Sequence, residues 1–232
     1  MNKAIITILL ISTLILIAGC VEDSCNGITE QTLKDDCYLE NAVEAKSIST
    51  CNKITSDIVK NSCIAEIGIK KSNLNICGKL EGKTKDYCIT KIALDKGDFD
   101  VCNDVTTQYW SDICNKQISI AKNDSTRCLK VSNLLDRNDC YDTIGRATLD
   151  VNSCSYIMNE TTHDRCVSHI AIETLNESLC EETRTVFIGD VCYLKIAKIK
   201  KDESICQGAS FWEIKNSCIK SVKELLGEAE TE

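Results

Sequence analysis

Proline is absent from this chain, glycine occurs only ten times in 232 residues, and runs that alternate β-branched with polar residues are few. These gaps argue against sheets and turn-rich loops and in favour of helices. Aromatic residues make up 5% of the chain, so a short segment cannot hold itself together by apolar burial alone. Histidine is nearly missing. His163 and His169 flank Cys166, six residues apart. That spacing suits neither an i,i+4 pair nor a zinc motif, and we read both as incidental helix or surface positions.

Basic runs are missing too. Lys and Arg total 27 against 35 Asp and Glu, a formal charge of −8. Phosphate backbones are bound by clustered cations, so nucleic acid is not an expected partner. No glycine-rich phosphate loop, G-x-S-x-G elbow, paired His–Asp set or C-x-x-C-H haem site is present. The stretch DKGDFDVCND gathers Asp95, Asp98, Asp100 and Asp104 but lacks the D-x-D-x-D-G order of a calcium loop. The expectation is no catalysis, no cofactor and no metal.

Cysteine, by contrast, is abundant, with 17 residues. After Cys20 come Cys25, Cys37, Cys51, Cys63, Cys77, Cys88, Cys102, Cys114, Cys128, Cys140, Cys154, Cys166, Cys180, Cys192, Cys206 and Cys218. Intervals of 12 and 14 alternate, with one residue deleted between Cys77 and Cys88. A 26-residue period marks a repeat array. Its eight units begin at Val21, Ser47, Asn73, Asp98, Asp124, Asp150, Asn176 and Asp202.

Other positions keep the same time. Short polar residues stand two and four residues before the first cysteine of a unit, as with Asn152 and Asp150. They predict the N-cap of a helix that starts just before that cysteine. Three residues after it lie Ile28, Ile54, Leu80, Val105, Val131 and Ile157. Two residues before the second cysteine stands Asp or Asn in every unit: Asp35, Asn61, Asp86, Asp112, Asn138, Asp164, Asp190 and Asn216. Four residues after it Ile recurs (Ile67, Ile92, Ile118, Ile144, Ile170, Ile196), and the next residue is small. This is the apolar stripe of a second helix, with a small residue where a neighbour can approach. The Asp or Asn either caps that helix, or the helix begins earlier, near Thr29, Thr55, Thr106 or Ser132, and the side chain bonds backbone in the next unit. Missing turn residues in the intervening segments favour the earlier start. Asn41 replaces Ile in the first unit and Lys223 the small residue in the last, as in capping repeats.

The expected fold is all-α: an α-solenoid of eight 26-residue αα-hairpin repeats over residues 20–227, then an acidic disordered tail at 228–232. Zinc needs cysteines at C-x₂₋₄-C spacing, which is absent. Disulfides are expected instead, one per hairpin: 25–37, 51–63, 77–88, 102–114, 128–140, 154–166, 180–192 and 206–218. Pairing each second cysteine with the next unit's first would strand Cys25 and Cys218. Each bridge closes a loop of about a dozen residues, worth about 3 kcal/mol. The plan resembles the disulfide-stapled Sel1-like, or TPR-type, secreted repeat proteins of bacteria. Those repeats are longer and space their cysteines differently, so no binding site carries over.

The N-terminus reads MNKAIITILLISTLILIAGC. A lysine, an apolar run too short for a confident membrane span and small residues before a cut site describe a secretory leader over residues 1–19. Ile17-Ala18-Gly19-Cys20 resembles the lipobox of prokaryotic lipoproteins. The resemblance implies cleavage before Cys20 and lipid on its thiol and new amino group. The mature chain is then one unit more negative than −8, since Lys3 leaves with the leader. It also implies a place in the cell envelope, held to the outer face of the cytoplasmic membrane or to the outer membrane. Lipid on Cys20 leaves sixteen cysteines, an even set for an oxidising space.

Tyr109, Trp110, Phe187, Phe211 and Trp212 are expected chiefly to pack between repeats, with Trp110 and Trp212 as candidate partner contacts. Asn123, Asn159 and Asn176 head N-x-S/T sequons and are candidate glycan sites. The function expected is a lipid-anchored scaffold that binds a protein or peptide without catalysis. The alternatives are a cysteine-based metal or redox store and an enzyme with an unrecognised site.

Overall fold

The computed structural model describes residues 25–227. The leader, the lipidation at Cys20 and the tail 228–232 lie outside the described residues. Among those residues every element is helical. The fold is an all-α solenoid of repeats of about 26 residues with eight disulfides, one per repeat. The chain divides into two compact units, one ending at Trp110 and one starting at Ser111.

Each repeat has one long helix. These are α1 (Gln31–Ala45), α2 (Asp57–Lys70), α3 (Gly82–Lys96), α4 (Gln108–Lys122), α5 (Leu134–Thr148), α6 (Glu160–Thr174), α7 (Val186–Lys200) and α8 (Trp212–Leu226). The first arm is shorter than a hairpin of two full helices suggests. It is one α turn or one to two 3₁₀ turns, as at Ile48–Cys51, Val101–Asp104 and Ser125–Lys130. The residue three past the first cysteine ends it. Val131 returns its N–H to the Cys128 carbonyl at 3.1 Å and is already extended, at φ −78°, ψ 116°.

The cap of this turn is the residue four before the cysteine, not the one two before it. Ser47, Asn73, Asp124, Asp150, Asn176 and Asp202 accept with their side chains, mostly from the N–H two residues on. Except at Ser47, where Thr50 donates, the polar residue two before the cysteine is the donor in those bonds. Both residue types match the pattern, and only the geometry separates acceptor from donor.

The long helix starts early, one turn before the Asp or Asn. Ser56, Asn133 and Asn159 cap α2, α5 and α6 with their own side chains. The Asp near the second cysteine reaches the next repeat. Asp86 accepts the main-chain N–H groups of Thr106 (2.9 Å) and Thr107 (2.8 Å). Asp35, Asp112, Asp164 and Asp190 make the same fork, each to residues 20 and 21 further on. Five repeats therefore bond backbone N–H groups at the entry to the next long helix, where helix geometry leaves donors without internal partners; Asn138 accepts only one, from Met158, and Asn61 is exposed.

The other end is closed by one motif throughout. A left-handed residue follows every long helix: Lys46, Ser72, Gly97, Asn123, Leu149, Leu175, Lys201 and Gly227. After α1 to α7 the next residue then donates back to a carbonyl five residues earlier, as from Ser47 to Ala42 (2.8 Å) and from Asp150 to Gly145 (3.0 Å). This is a Schellman closure. Its donor is also the cap of the following turn, so one residue links two elements.

The bridges pair within repeats as expected: 25–37, 51–63, 77–88, 128–140, 154–166, 180–192 and 206–218, with Cα–Cα distances of 5.6–5.8 Å. Cys102 and Cys114 are oxidised as well. The sulfurs pack against the small residue of the repeat before. A Cβ on Gly68 would lie 3.0 Å from Cys88 Sγ, and one on Gly145 3.2 Å from Cys166 Sγ. Ile67, Ile144, Ile170 and Ile196 are fully buried with them. In the first repeat Asn41 instead donates its amide to Cys25 Sγ at 3.1 Å. So many disulfides place the chain in an oxidising, extracytoplasmic space. Among the described residues no helix is long and apolar enough to cross a membrane.

Candidate functional site

One repeat position is apolar without being buried in four of the eight long helices, the others having Thr32, Lys83, Thr161 and Glu213 there. The second residue of the long helix is Ile58 in α2, Tyr109 in α4, Leu135 in α5 and Phe187 in α7. Their exposures are 81, 68, 75 and 59%. Five residues separate this position from the buried second cysteine. At 3.6 residues per turn that turns it about 140° around the helix, away from the bridge. In α8 the first residue takes the role, with Trp212 66% exposed beside Phe211.

These exposures correct the expectation of packing between repeats. It holds for Trp110, half-buried edge-on against Tyr87 with ring centroids 5.6 Å apart. Tyr109, Phe187, Phe211 and Trp212 stand in solvent. The sequence signal was available: an apolar residue five before the second cysteine. It could be read only once the helix start was fixed.

Shallow grooves run between successive long helices. Between α2 and α3 a groove of about 360 Å³ is lined by Glu66, Lys83 and Tyr87 among others. Between α6 and α7 one of about 130 Å³ is lined by Ile172, Phe187, Ile188 and Val191. Between α5 and α6 one of about 150 Å³ lies beside Leu135.

Paired charges cross the junction between α4 and α5. Lys116 on α4 meets Asp136 and Asp139 on α5, both at 2.8 Å. Burial alone would lower its pKa, but the two carboxylates outweigh this and raise it. Burial pushes the Tyr87 hydroxyl up, helped by Glu66, to which it donates at 3.3 Å. Burial and Glu181 push Tyr193 up to about 12.

The two histidines share α6 but not a site. His163 is buried and places Nδ1 3.0 Å from Asp164 Oδ1, so it is not a surface position. Among the described residues no group of three or more His, Cys, Asp or Glu side chains is arranged to hold a metal. Asn123 is exposed in the left-handed position after α4. Asn159 and Asn176 use their side-chain oxygens as helix caps. No family model, no curated protein and no solved structure matches this chain.

Proposed function

We propose that this protein is an extracytoplasmic scaffold, anchored by lipid on Cys20, that binds a protein or peptide partner and performs no catalysis. The observation that carries the reading is the apolar ladder at the starts of the long helices. Large apolar side chains that stay mostly in solvent at the starts of five of the eight long helices expose apolar surface that a partner can cover. Repeat arrays present such surfaces to extended partners. Tyr and Trp, both present in the ladder, are the residues that most often anchor interfaces.

The test is recovery of partners from membrane extracts by the oxidised mature chain. Wild type is compared with a variant carrying Tyr109→Ser, Phe187→Ser and Trp212→Ser. The expected result is a partner retained by wild type and lost by the variant, with thermal unfolding unchanged. Equal recovery by both proteins defeats the proposal. Mass spectrometry of the purified native protein checks the anchor: acyl mass on an N-terminal Cys20 is expected, and an unmodified terminus removes that element.

A further inference from the structure

The first repeat carries a hydrogen-bond donor where the others carry a hydrocarbon. Asn41 stands four residues after Cys37, one turn further along the same face of α1. In the seven other repeats this place is Ile or Val. The Asn41 side-chain amide donates to the bridge, with Nδ2 3.1 Å from Cys25 Sγ and 3.8 Å from Cys37 Sγ. A disulfide sulfur is a weak acceptor, whereas a charged acceptor is a strong one. The amide therefore favours the state in which the bond has opened and negative charge sits on sulfur. The two cysteines also differ in access. Cys25 is fully buried, while Cys37 is the one bridged cysteine partly open to solvent.

Exchange is fastest where the attacked sulfur is reachable and the departing thiolate is stabilised. Both conditions meet at this bridge. Attack on Cys37 Sγ sends the electron pair of the broken bond to Cys25 Sγ, the sulfur nearest the Asn41 amide. The opened turn keeps its other ties to α1. Tyr38, 5% exposed, donates its hydroxyl to Asn26 at 2.7 Å. The Ile28 N–H holds the turn itself together through the Cys25 carbonyl at 3.2 Å. The two thiols thus stay adjacent, and oxidation can rejoin them.

We infer that Cys25–Cys37 is a thiol–disulfide exchange site for a dithiol protein, with Cys37 attacked, Cys25 leaving and Asn41 stabilising the departing thiolate. One thiolate of the dithiol bonds Cys37 Sγ as a mixed disulfide, and the bond to Cys25 breaks. The partner's second thiol, once deprotonated, attacks its own sulfur in that mixed disulfide, and Cys37 departs as thiolate. The partner ends with an internal disulfide, Cys25 and Cys37 end reduced, and the two thiol protons of the partner balance those they take up. The other seven bridges, their cysteines at most 2% exposed, stay closed. The inference goes beyond the scaffold reading and does not depend on it.

The experiment incubates the oxidised mature chain, without denaturant, with a reduced thioredoxin-type dithiol protein. Each bridge is followed by differential alkylation and mass spectrometry. Wild type is compared with Asn41→Asp, which keeps the shape but replaces the donor with a negative charge, and with Asn41→Ala, which removes the donor and leaves the sulfurs reachable. In wild type Cys25–Cys37 should open at least about tenfold faster than any other bridge, and both variants should slow that step by about tenfold with thermal unfolding unchanged. A form of the dithiol protein lacking its second cysteine should be trapped on wild-type Cys37 and not on Cys25. Trapping on Cys25, a wild-type rate in Asn41→Ala, equal opening of all bridges or no reaction with the dithiol protein overturns the inference.

Discussion

Asp164 accepts the main-chain N–H of Arg184, twenty residues ahead, at 2.7 Å, and its other oxygen takes the N–H of Thr185 at 2.8 Å. A side chain on one long helix thus fixes where the next begins. Hydrogen bonds to a charged acceptor are worth more than neutral ones, and losing it strands two donors. Asp164→Ala should cost about 2–3 kcal/mol in urea unfolding with the bridges intact. Asn61 occupies the same repeat position but is exposed. Asn61→Ala should change stability by less than about 0.5 kcal/mol.

The forks also make stability depend on pH. The Asp35 carboxyl is held below the ordinary 3.8, first by the Thr55 N–H, against a smaller opposing effect of burial. At Asp86 and Asp164 burial is the largest influence and acts upward, but the hydrogen bonds from the next repeat, joined at Asp164 by the neighbouring His163, together win and both pKa values are lowered. A depressed folded pKa gives stability that is complete above the unfolded value near 3.8 and is lost as pH falls through the lower folded values. Melting temperature, followed by circular dichroism, should drop more steeply below pH 4 in wild type than in an Asp86→Asn, Asp164→Asn double variant. Parallel curves would contradict this.

Leu149 sits at φ 56° and is 43% exposed, so its side chain contributes little packing while its backbone bears the left-handed cost. That cost is about 1–2 kcal/mol for a residue with a Cβ. Part of the gain from Leu149→Gly is offset by the freer unfolded chain. A net stabilisation of about 0.5–1 kcal/mol is expected in urea unfolding. Gly97 and Gly227 already occupy equivalent places.

Access decides which bridge opens first. Fifteen of the sixteen bridged cysteines are at most 2% exposed; Cys37 alone is partly open to solvent. Thiolate attack needs a reachable sulfur. Under mild reduction without denaturant, differential alkylation and mass spectrometry should find Cys25 and Cys37 labelled before any other pair. Simultaneous labelling of all pairs would show that global unfolding controls access instead.

The repeat, its phase and its within-unit bridges were legible because cysteine spacing records both the period and the pairing. The early start of the long helix was legible from the lack of turn residues. The brevity of the first arm was not. Cysteines mark where two segments meet, and say nothing of how far a helix runs beyond the meeting point. Caps were legible as a class, but Asp150 and Asn152 are interchangeable by residue type and differ only in which one accepts. The ladder of Ile58, Tyr109, Leu135 and Phe187 escaped notice because an apolar residue near a helix start reads as core until the face it occupies is known. Asn138 was counted with the aspartates, since the pattern admits either. Only the partner of each terminal atom tells them apart.

The placement of the bridges has a mechanical consequence. Pulled from its two ends, the chain carries load across each disulfide and not around the loop it closes. Twelve residues of backbone, able to reach about 40 Å when straightened, are short-circuited by a Cα–Cα span of 5.7 Å, as at Cys154–Cys166. Close to half of the contour is thereby withheld from stretching. Tension can lengthen only the stretches between one bridge and the next, which gives a tether of fixed maximum reach for as long as its sulfurs stay joined.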